Sequence, residues 1–347
     1  MHTRHGAQLL HQLHHRGSSV QSRKAGDALM PHSNPAPVDI SIITVNYKMK
    51  DLIEACYASI ERAAPALSYE LILVDNNSGD GSAEHFQSRP GVTVIANADN
   101  AGFARACNQG AAAARGELLL FLNPDTELPP GSLEAMAAFL RANPGAGVCG
   151  PETRNTDGSI EPSVYRLPTL KRTAIDCLWL NKVFGGYEVR DYESLKGNPQ
   201  VEVICGACFM IKKDLFDRLG GFDEALWMYG EDVELCYRVR RAGFSCHYLD
   251  GVRIIHKRGE RHLQEDAFHD MERIAYSHYK WIFHYYEKHC AAPARSALRM
   301  LMWVNVYPKL AARARRAACG DNSRDNVARI KALKRVLDEF ILRRRHT

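Results

Sequence analysis

The first apolar run ends without a glycine: "SIITVNYKMKD" passes from Ser41 to Asp51 with none. That absence removes both glycine-rich phosphate devices of nucleotide-binding α/β sheets, the GxGxxG turn and the Walker loop, and disfavours a nicotinamide enzyme or a P-loop NTPase. Long apolar runs are also missing. The longest late one, "LRMLMWVNVYPKL", is short of the roughly 20 residues a bilayer requires and is broken by Asn305 and Pro308, so no transmembrane helix is expected. Residues 1–37, rich in His, Gln, Ser and Pro, lack the apolar core of a signal peptide and read as a disordered leader, with Met30 an alternative start. No disulfide framework is visible either, because the ten cysteines fall mostly inside apolar runs such as "GVCG" and "ELCYRV". The pair Cys205 and Cys208 in "CGAC" has the spacing of half a zinc knuckle, but no second half follows, which reads against zinc.

Net charge is a mild +5, and its basicity is local: Ala311 to Thr347 carries eleven Lys/Arg against four Asp/Glu, a local +7 that leaves the rest at −2. Nucleic acid is not expected as a partner. In that tail Val327, Ile330, Leu333, Val336, Leu337, Phe340 and Ile341 recur along one helical face, with Arg and Lys on the other. Two readings stand side by side: a helix capping the fold, or a basic amphipathic helix on an anionic membrane surface near Trp281 and Trp303.

From residue 38 to about 150, short β-type runs alternate with helical ones: "DISIITVNY", "DLIEACYASIERA", "YELILVDNNS", "GVTVIAN", "GFARACNQGAAAARG", "ELLLFLNPD", "SLEAMAAFLRAN". Near-continuous apolar strands separated by helices argue for a mostly parallel sheet covered on both faces, a Rossmann-like α/β class. After Pro151 the rhythm breaks into a polar segment, then a strand "VEVICGACFMI", a short helix "KKDLFDRLGG", an amphipathic helix in "YGEDVELCYRVRRAGF", and a strand pair "SCHYLD" and "VRIIH". The expected organisation is a leader (1–37), a catalytic domain (38–265, halves 38–150 and 151–265) and a basic helical extension (266–347).

Polar side chains gather where successive strands end: Thr44 and Asn46, then Asp75 with Asn76 and Asn77, then Asn97 to Gly102, then Asn123-Pro124-Asp125. Each cluster alone reads as a turn. Four at the carboxyl edge of one sheet read as a ligand site, since that edge is where open α/β sheets bind ligands. A carboxylate such as Asp75 accepts the imide N–H of a pyrimidine, and a divalent ion at Asp125 would hold a diphosphate, so the pattern suits a nucleotide-diphosphate donor. Further on, Glu231 and Asp232 open a helix. Acidic residues there complement the helix dipole, which accounts for Glu231; at a cleft, Asp232 would also accept a proton from an attacking hydroxyl.

Taken in order, "SIITVNYK", "LVDNNSGDGS", "NAGFARACNQG", "FLNPDT", "GACFMI", "GGFDE", "YGEDVELCYRVRRAGF" and "VRIIH" resemble the family 2 glycosyltransferases over about residues 38–260, and most of all the rhamnosyltransferase-like branch. The resemblance implies a GT-A fold and inverting, metal-dependent transfer of a sugar from a nucleotide diphosphate to an acceptor hydroxyl of a glycan or lipid-linked glycan, in the cytoplasm or on the inner face of the plasma membrane. Carried over by position, Thr44, Asn46 and Asp75 would bind the nucleoside; Asn100, Phe103, Arg105, Asn108 and Asn123 the donor; Asp125 and His256 a Mg²⁺ or Mn²⁺ ion. Asp232 would be the base with Glu231 beside it, and Gly206, Ala207 and Trp227 would face the acceptor.

Two departures stand out. Relatives often carry Asp-X-Asp where this chain has Asn123, so with one carboxylate the ion needs a further ligand, and His256 matches that position; alone it reads as an ordinary strand-end histidine. Arg261 in "HKRGER" replaces a small hydroxyl residue. The favoured donor is dTDP-rhamnose, with UDP-linked galactofuranose, galactose, glucose or N-acetylglucosamine as alternatives. The rival classes are a silent nucleotide-binding module and a nucleotidyltransferase.

Overall fold

The computed structural model describes residues 37–63, 66–257 and 271–342. The leader, Met30 and Arg261 lie outside the described residues. The first strands are β1 (Ile40–Asn46), β2 (Tyr69–Asp75), β3 (Val92–Ala96) and β4 (Leu118–Leu122), which pair in parallel in the order β3-β2-β1-β4. Every residue of β1 and β4 is buried, as expected of strands covered on both faces. The helices α1 (Lys50–Ala63), α2 (Ser82–Gln87), α3 (Phe103–Ala113) and α4 (Ser132–Ala142) supply that cover. Alternation along β1 sorts the core: Ile40 and Ile42 pack with Ile53 and Tyr57 of α1 on one face, while Ile43 and Val45 pack with Ala106 and Cys107 of α3 on the other.

Beyond β4 the sheet changes direction. After the two-residue β5 (Thr126–Glu127) come β6 (Ala146–Arg154), β7 (Ile160–Glu161) and β8 (Val164–Tyr165), then α5 (Leu170–Cys177) and α6 (Asn181–Phe184). Next are β9 (Gln200–Val201), β10 (Val203–Ile204), β11 (Cys208–Lys212), α7 (Lys213–Arg218), α8 (Glu231–Arg241) and β12 (Ser245–His256). β11 runs antiparallel between β4 and β6, β12 runs parallel beside β6, and β5 closes the edge antiparallel to β12.

Two sequence expectations are corrected here. The run "VEVICGACFMI" is not one strand: Cys205-Gly206-Ala207 interrupts it between β10 and β11, and the Gly206 N–H bonds the Asp232 carboxylate rather than a ladder partner. Conversely, "SCHYLD" and "VRIIH" form a single strand whose register against β6 shifts between Leu249 and Arg253, around Gly251 at φ 88°.

The C-terminal region is helical: α9 (Met271–His289), α10 (Ala292–Ala318) and α11 (Arg324–Val336) enclose a third apolar cluster with Cys177 of α5. Leu333 and Val336 of α11 are buried in it, and Phe340 stacks on Phe283 at 4.8 Å. Of the face expected either to cap the fold or to meet a membrane, Leu333 and Val336 therefore pack inward, while Val327 is exposed. Among the described residues no helix is long and apolar enough to cross a membrane.

Candidate active site

Pairing of β5 with β12 sets His256 opposite Thr126, one residue from Asp125, and the Lys257 N–H donates to the Asp125 carbonyl at 2.8 Å. The result is a buried line of three groups. His256 Nε2 lies 3.1 Å from Asp125 Oδ1, and its Nδ1 lies 2.7 Å from Glu161 Oε2 of β7. Burial would lower the His256 pKa, but hydrogen bonds and charge from Asp125 and Glu161 outweigh it and raise it to about 9. Asn123 Nδ2 stands 3.5 Å from the same Nε2. Among the described residues no three His, Cys, Asp or Glu side chains are arranged to hold a metal ion. The donor set is one carboxylate and one imidazole nitrogen, with Glu161 behind the ring, and it suits a divalent ion whose remaining ligands come from a diphosphate. Sequence reasoning missed Glu161, which no local motif marks; the rule that a ligating histidine gives its other N–H to a carboxylate was the available signal.

The end of β4 is tied to the second half of the chain. Asn123 N–H donates to the Ala207 carbonyl at 2.9 Å, and the adjacent Gly206 N–H donates to Asp232 Oδ2 at 2.9 Å. This short relay links the Asn123-Pro124-Asp125 turn to Asp232. Tyr229 at φ 69° and Gly230 at φ 83° turn the chain sharply into α8, which places Glu231 and Asp232 in its first turn. Glu231 is buried, and its Oε2 has no hydrogen-bond partner among the described residues. Burial, together with the neighbouring Asp232 charge, pushes its carboxyl well above the usual range. Burial raises Asp232 as well, opposed by the Gly206 and Val233 N–H groups it accepts. Those donors favour the anion on Asp232 and leave the proton on Glu231.

At the ends of β1 and β2, Asn46 Nδ2 donates to Asp75 Oδ1 at 2.6 Å, and Ser78 donates to the same carboxylate from both its hydroxyl and its N–H. Thr44, two residues before Asn46 on the same face of β1, is buried beneath α1 beside Tyr57. Asn100 accepts the Gly102 N–H through its side chain and the Trp227 Nε1–H through its carbonyl, and Phe103 N–H bonds the Trp227 carbonyl at 2.7 Å. A Cβ on Gly102 would lie 2.3 Å from the Trp227 ring. Trp227 therefore sits with Asn100 and Phe103. Arg105 is exposed on the first turn of α3. Asn108 is not brought to the cluster: its amide is engaged with Phe222 N–H, the Phe222 carbonyl and Glu224.

A cavity of about 630 Å³ opens beside Asp232, walled by Cys205, Tyr187, Tyr229 and Trp281 and, from α10, Met302 and Lys309.

A family model described as Glycosyl transferase family 2 matches residues 41–220, and one described as the N-terminal domain of galactosyltransferase matches residues 190–263. The N-acetylglucosaminyl-diphospho-decaprenol L-rhamnosyltransferase of Mycobacterium tuberculosis is 28% identical over 251 residues, covering 66% of this chain and 80% of that protein. The low-salt glycan biosynthesis hexosyltransferase Agl10 of Haloferax volcanii is 28% identical over 221 residues, covering 62% and 66%. In fold, the chain is similar to a mannosyltransferase of Pyrobaculum calidifontis solved with GDP-Man and Mn²⁺, with a TM-score of 0.51 at 17% identity over 86% of this chain and 81% of that one.

Proposed function

Because the chain belongs to glycosyl transferase family 2, we propose that it transfers a hexose, L-rhamnose from dTDP-rhamnose in the first instance, to a hydroxyl of a cell-surface glycan or glycolipid, with inversion. The Mycobacterium tuberculosis relative, a rhamnosyltransferase at 28% identity, favours rhamnose over the UDP-sugar alternatives. The observation that carries the reading is the Asp232 carboxylate, held by the Gly206 N–H at 2.9 Å and facing the cavity. In this reading residues 38–150 bind the donor, 151–265 the acceptor, and 266–347 complete the acceptor wall, with the enzyme working from the cytoplasmic side.

Asp232 accepts the proton of the acceptor hydroxyl while that oxygen bonds to the anomeric carbon. The bond from that carbon to the diphosphate breaks on the opposite face, and the nucleoside diphosphate leaves. Neutral Glu231 lets Asp232 keep its charge without a like charge beside it. Asp125 and His256 Nε2 would hold a divalent ion, which when bound neutralises diphosphate charge. Glu161 then accepts the Nδ1 proton and fixes the ring. Asn46 and Asp75 bind the base, and Asn100, Phe103 and Arg105 contact the donor; Thr44 and Asn108 act from behind by holding α1 and the 219–224 turn. A thermal-shift panel of dTDP-, UDP- and GDP-sugars with Mn²⁺ tests the assignment, because a ligand of the folded state alone raises its stability. dTDP-rhamnose should give the largest rise; a larger one with a UDP-sugar selects the alternative donor, and no rise with any argues for a silent module.

A further inference from the structure

Four tyrosines wall the cavity beside Asp232, and three of them have their hydroxyls engaged. Tyr165 donates to the Pro162 carbonyl at 3.0 Å, Tyr187 shares a hydrogen bond with Thr173 at 2.6 Å, and Tyr279 accepts from the Lys309 ammonium at 3.3 Å. Trp281 of the same wall packs on Gly230 and meets the Tyr187 ring edge-on at 6.1 Å. Asp176 of α5 is turned onto Gly186, where a Cβ would lie 2.2 Å from Oδ1, and its buried Oδ2 has no hydrogen-bond partner among the described residues. Burial raises that carboxyl, so charge is disfavoured there.

Tyr229 is the fourth. It is 38% exposed, and its hydroxyl makes no hydrogen bond among the described residues. The ring meets His278 of α9 at 5.9 Å and 87°, a perpendicular contact that cannot cover both faces of the phenol. Its backbone stands at φ 69°, in the left-handed region that a bulky side chain enters only at a cost. Core packing does not account for that cost, because the side chain is exposed. Backbone strain of this kind collects where a side chain must be aimed at a ligand. Trp227, the aromatic residue expected at the acceptor, does not wall the cavity and is engaged with Asn100 and Phe103, whereas Tyr229, two residues further on, does wall it.

We propose that Tyr229 is the platform for the acceptor. The apolar C–H face of a pyranose ring lies on the phenol, as apolar faces do on aromatic rings in ligand pockets, and one of its hydroxyls is thereby presented to Asp232, three residues further along the chain. Tyr229 thus selects for a cyclic sugar by its ring, while Asp232 takes the proton of one hydroxyl. The left-handed backbone at 229 and 230 is what aims both side chains into one cavity. The inference rests on the glycosyl-transfer reading above.

The test is binding, read by saturation-transfer NMR with the donor site filled by dTDP and Mn²⁺. The probes are the methyl glycosides of glucose, galactose, mannose, rhamnose and N-acetylglucosamine, set against glucitol, which carries the hydroxyls of a hexose without a ring. At least one glycoside should bind the parent, and glucitol should not. Tyr229→Phe should retain that glycoside. Tyr229→Leu should weaken it about tenfold, the scale of one aromatic contact, with dTDP affinity unchanged. Tyr229→Asn, whose short side chain tolerates the left-handed conformation, should weaken it as much, which separates a lost ring from a lost fold. Tyr307→Leu, an exposed tyrosine of α10 outside the cavity wall, should have no effect. Glycoside binding to Tyr229→Leu as to the parent, glucitol binding as tightly as the glycosides, or no glycoside bound by a parent that binds dTDP overturns the inference. A parent that binds neither dTDP nor any other nucleoside diphosphate places the failure in the transfer reading instead.

Discussion

The surroundings of the neighbouring Asp232 and Glu231 carboxyls differ. Asp232 accepts two backbone N–H groups and opens on the cavity, whereas Glu231 is buried with an unpartnered oxygen. On the proposed assignment of Asp232 as base, removing it should therefore cost far more than removing its neighbour. Asp232→Asn is expected to lower kcat by about 10²–10⁴-fold with dTDP affinity kept, whereas Glu231→Gln, which replaces an already neutral group, should stay within about tenfold of the parent. Equal losses in the two variants would contradict the division. His256 carries a separate pH signature. Its folded pKa is raised from 6.5 to about 9, so the stability it gains from Asp125 and Glu161 is complete below the unfolded value of 6.5 and is lost as pH rises through about 9. Urea unfolding of the metal-free parent and of His256→Gln should show a stability gap that narrows between about pH 6 and about pH 10. A gap independent of pH would mean that the histidine is neutral in the folded protein.

The N-terminus of α8 is where backbone geometry governs chemistry. Gly230 sits at φ 83°, and a Cβ there would lie 2.6 Å from the Trp281 side chain of α9. Gly230→Ala should thus cost about 1–3 kcal/mol and displace the turn that aims Asp232. The expected outcome is a fall in transfer rate larger than any fall in dTDP affinity, measured side by side on the purified variant. This turn was half legible in the sequence: "YGEDVEL" marks a helix start after a glycine, but only the fold reveals that Trp281 packs on that glycine. The strands show the same limit. Continuous apolar runs made β1, β2 and β4 readable, whereas the break at Cys205-Gly206-Ala207 was hidden because its residues are as apolar as a strand. What interrupts it is a long-range bond to Asp232, which no local pattern encodes.

At the scale of the whole molecule, the order of motifs carried the parallel sheet and its carboxyl edge, but the place of the C-terminal helices lay beyond it. A basic amphipathic pattern is the same whether the apolar face meets lipid or protein, and only the packing of Leu333, Val336 and Phe340 on α9 and α10 shows which part of it meets protein. The helices are not an appendage. Fully buried Glu234 of α8 pairs with Arg238 of its own helix and with Lys288 and His289 of α9, while Val233 and Tyr237 pack against the helical cluster. Burial raises the Glu234 carboxyl, but bonds and charges from Arg238 and Lys288 outweigh it and hold the pKa low. Cutting α9 away would strip that carboxylate of two partners and expose the apolar side of the helix that carries Asp232. Calorimetry of the full chain should accordingly show one cooperative transition, and a chain ending at residue 270 should lose it rather than retain a stable donor-binding half. Two resolved transitions in the full chain, the hotter one surviving truncation with dTDP still bound, would show instead that the sheet folds on its own and that the helices only dock.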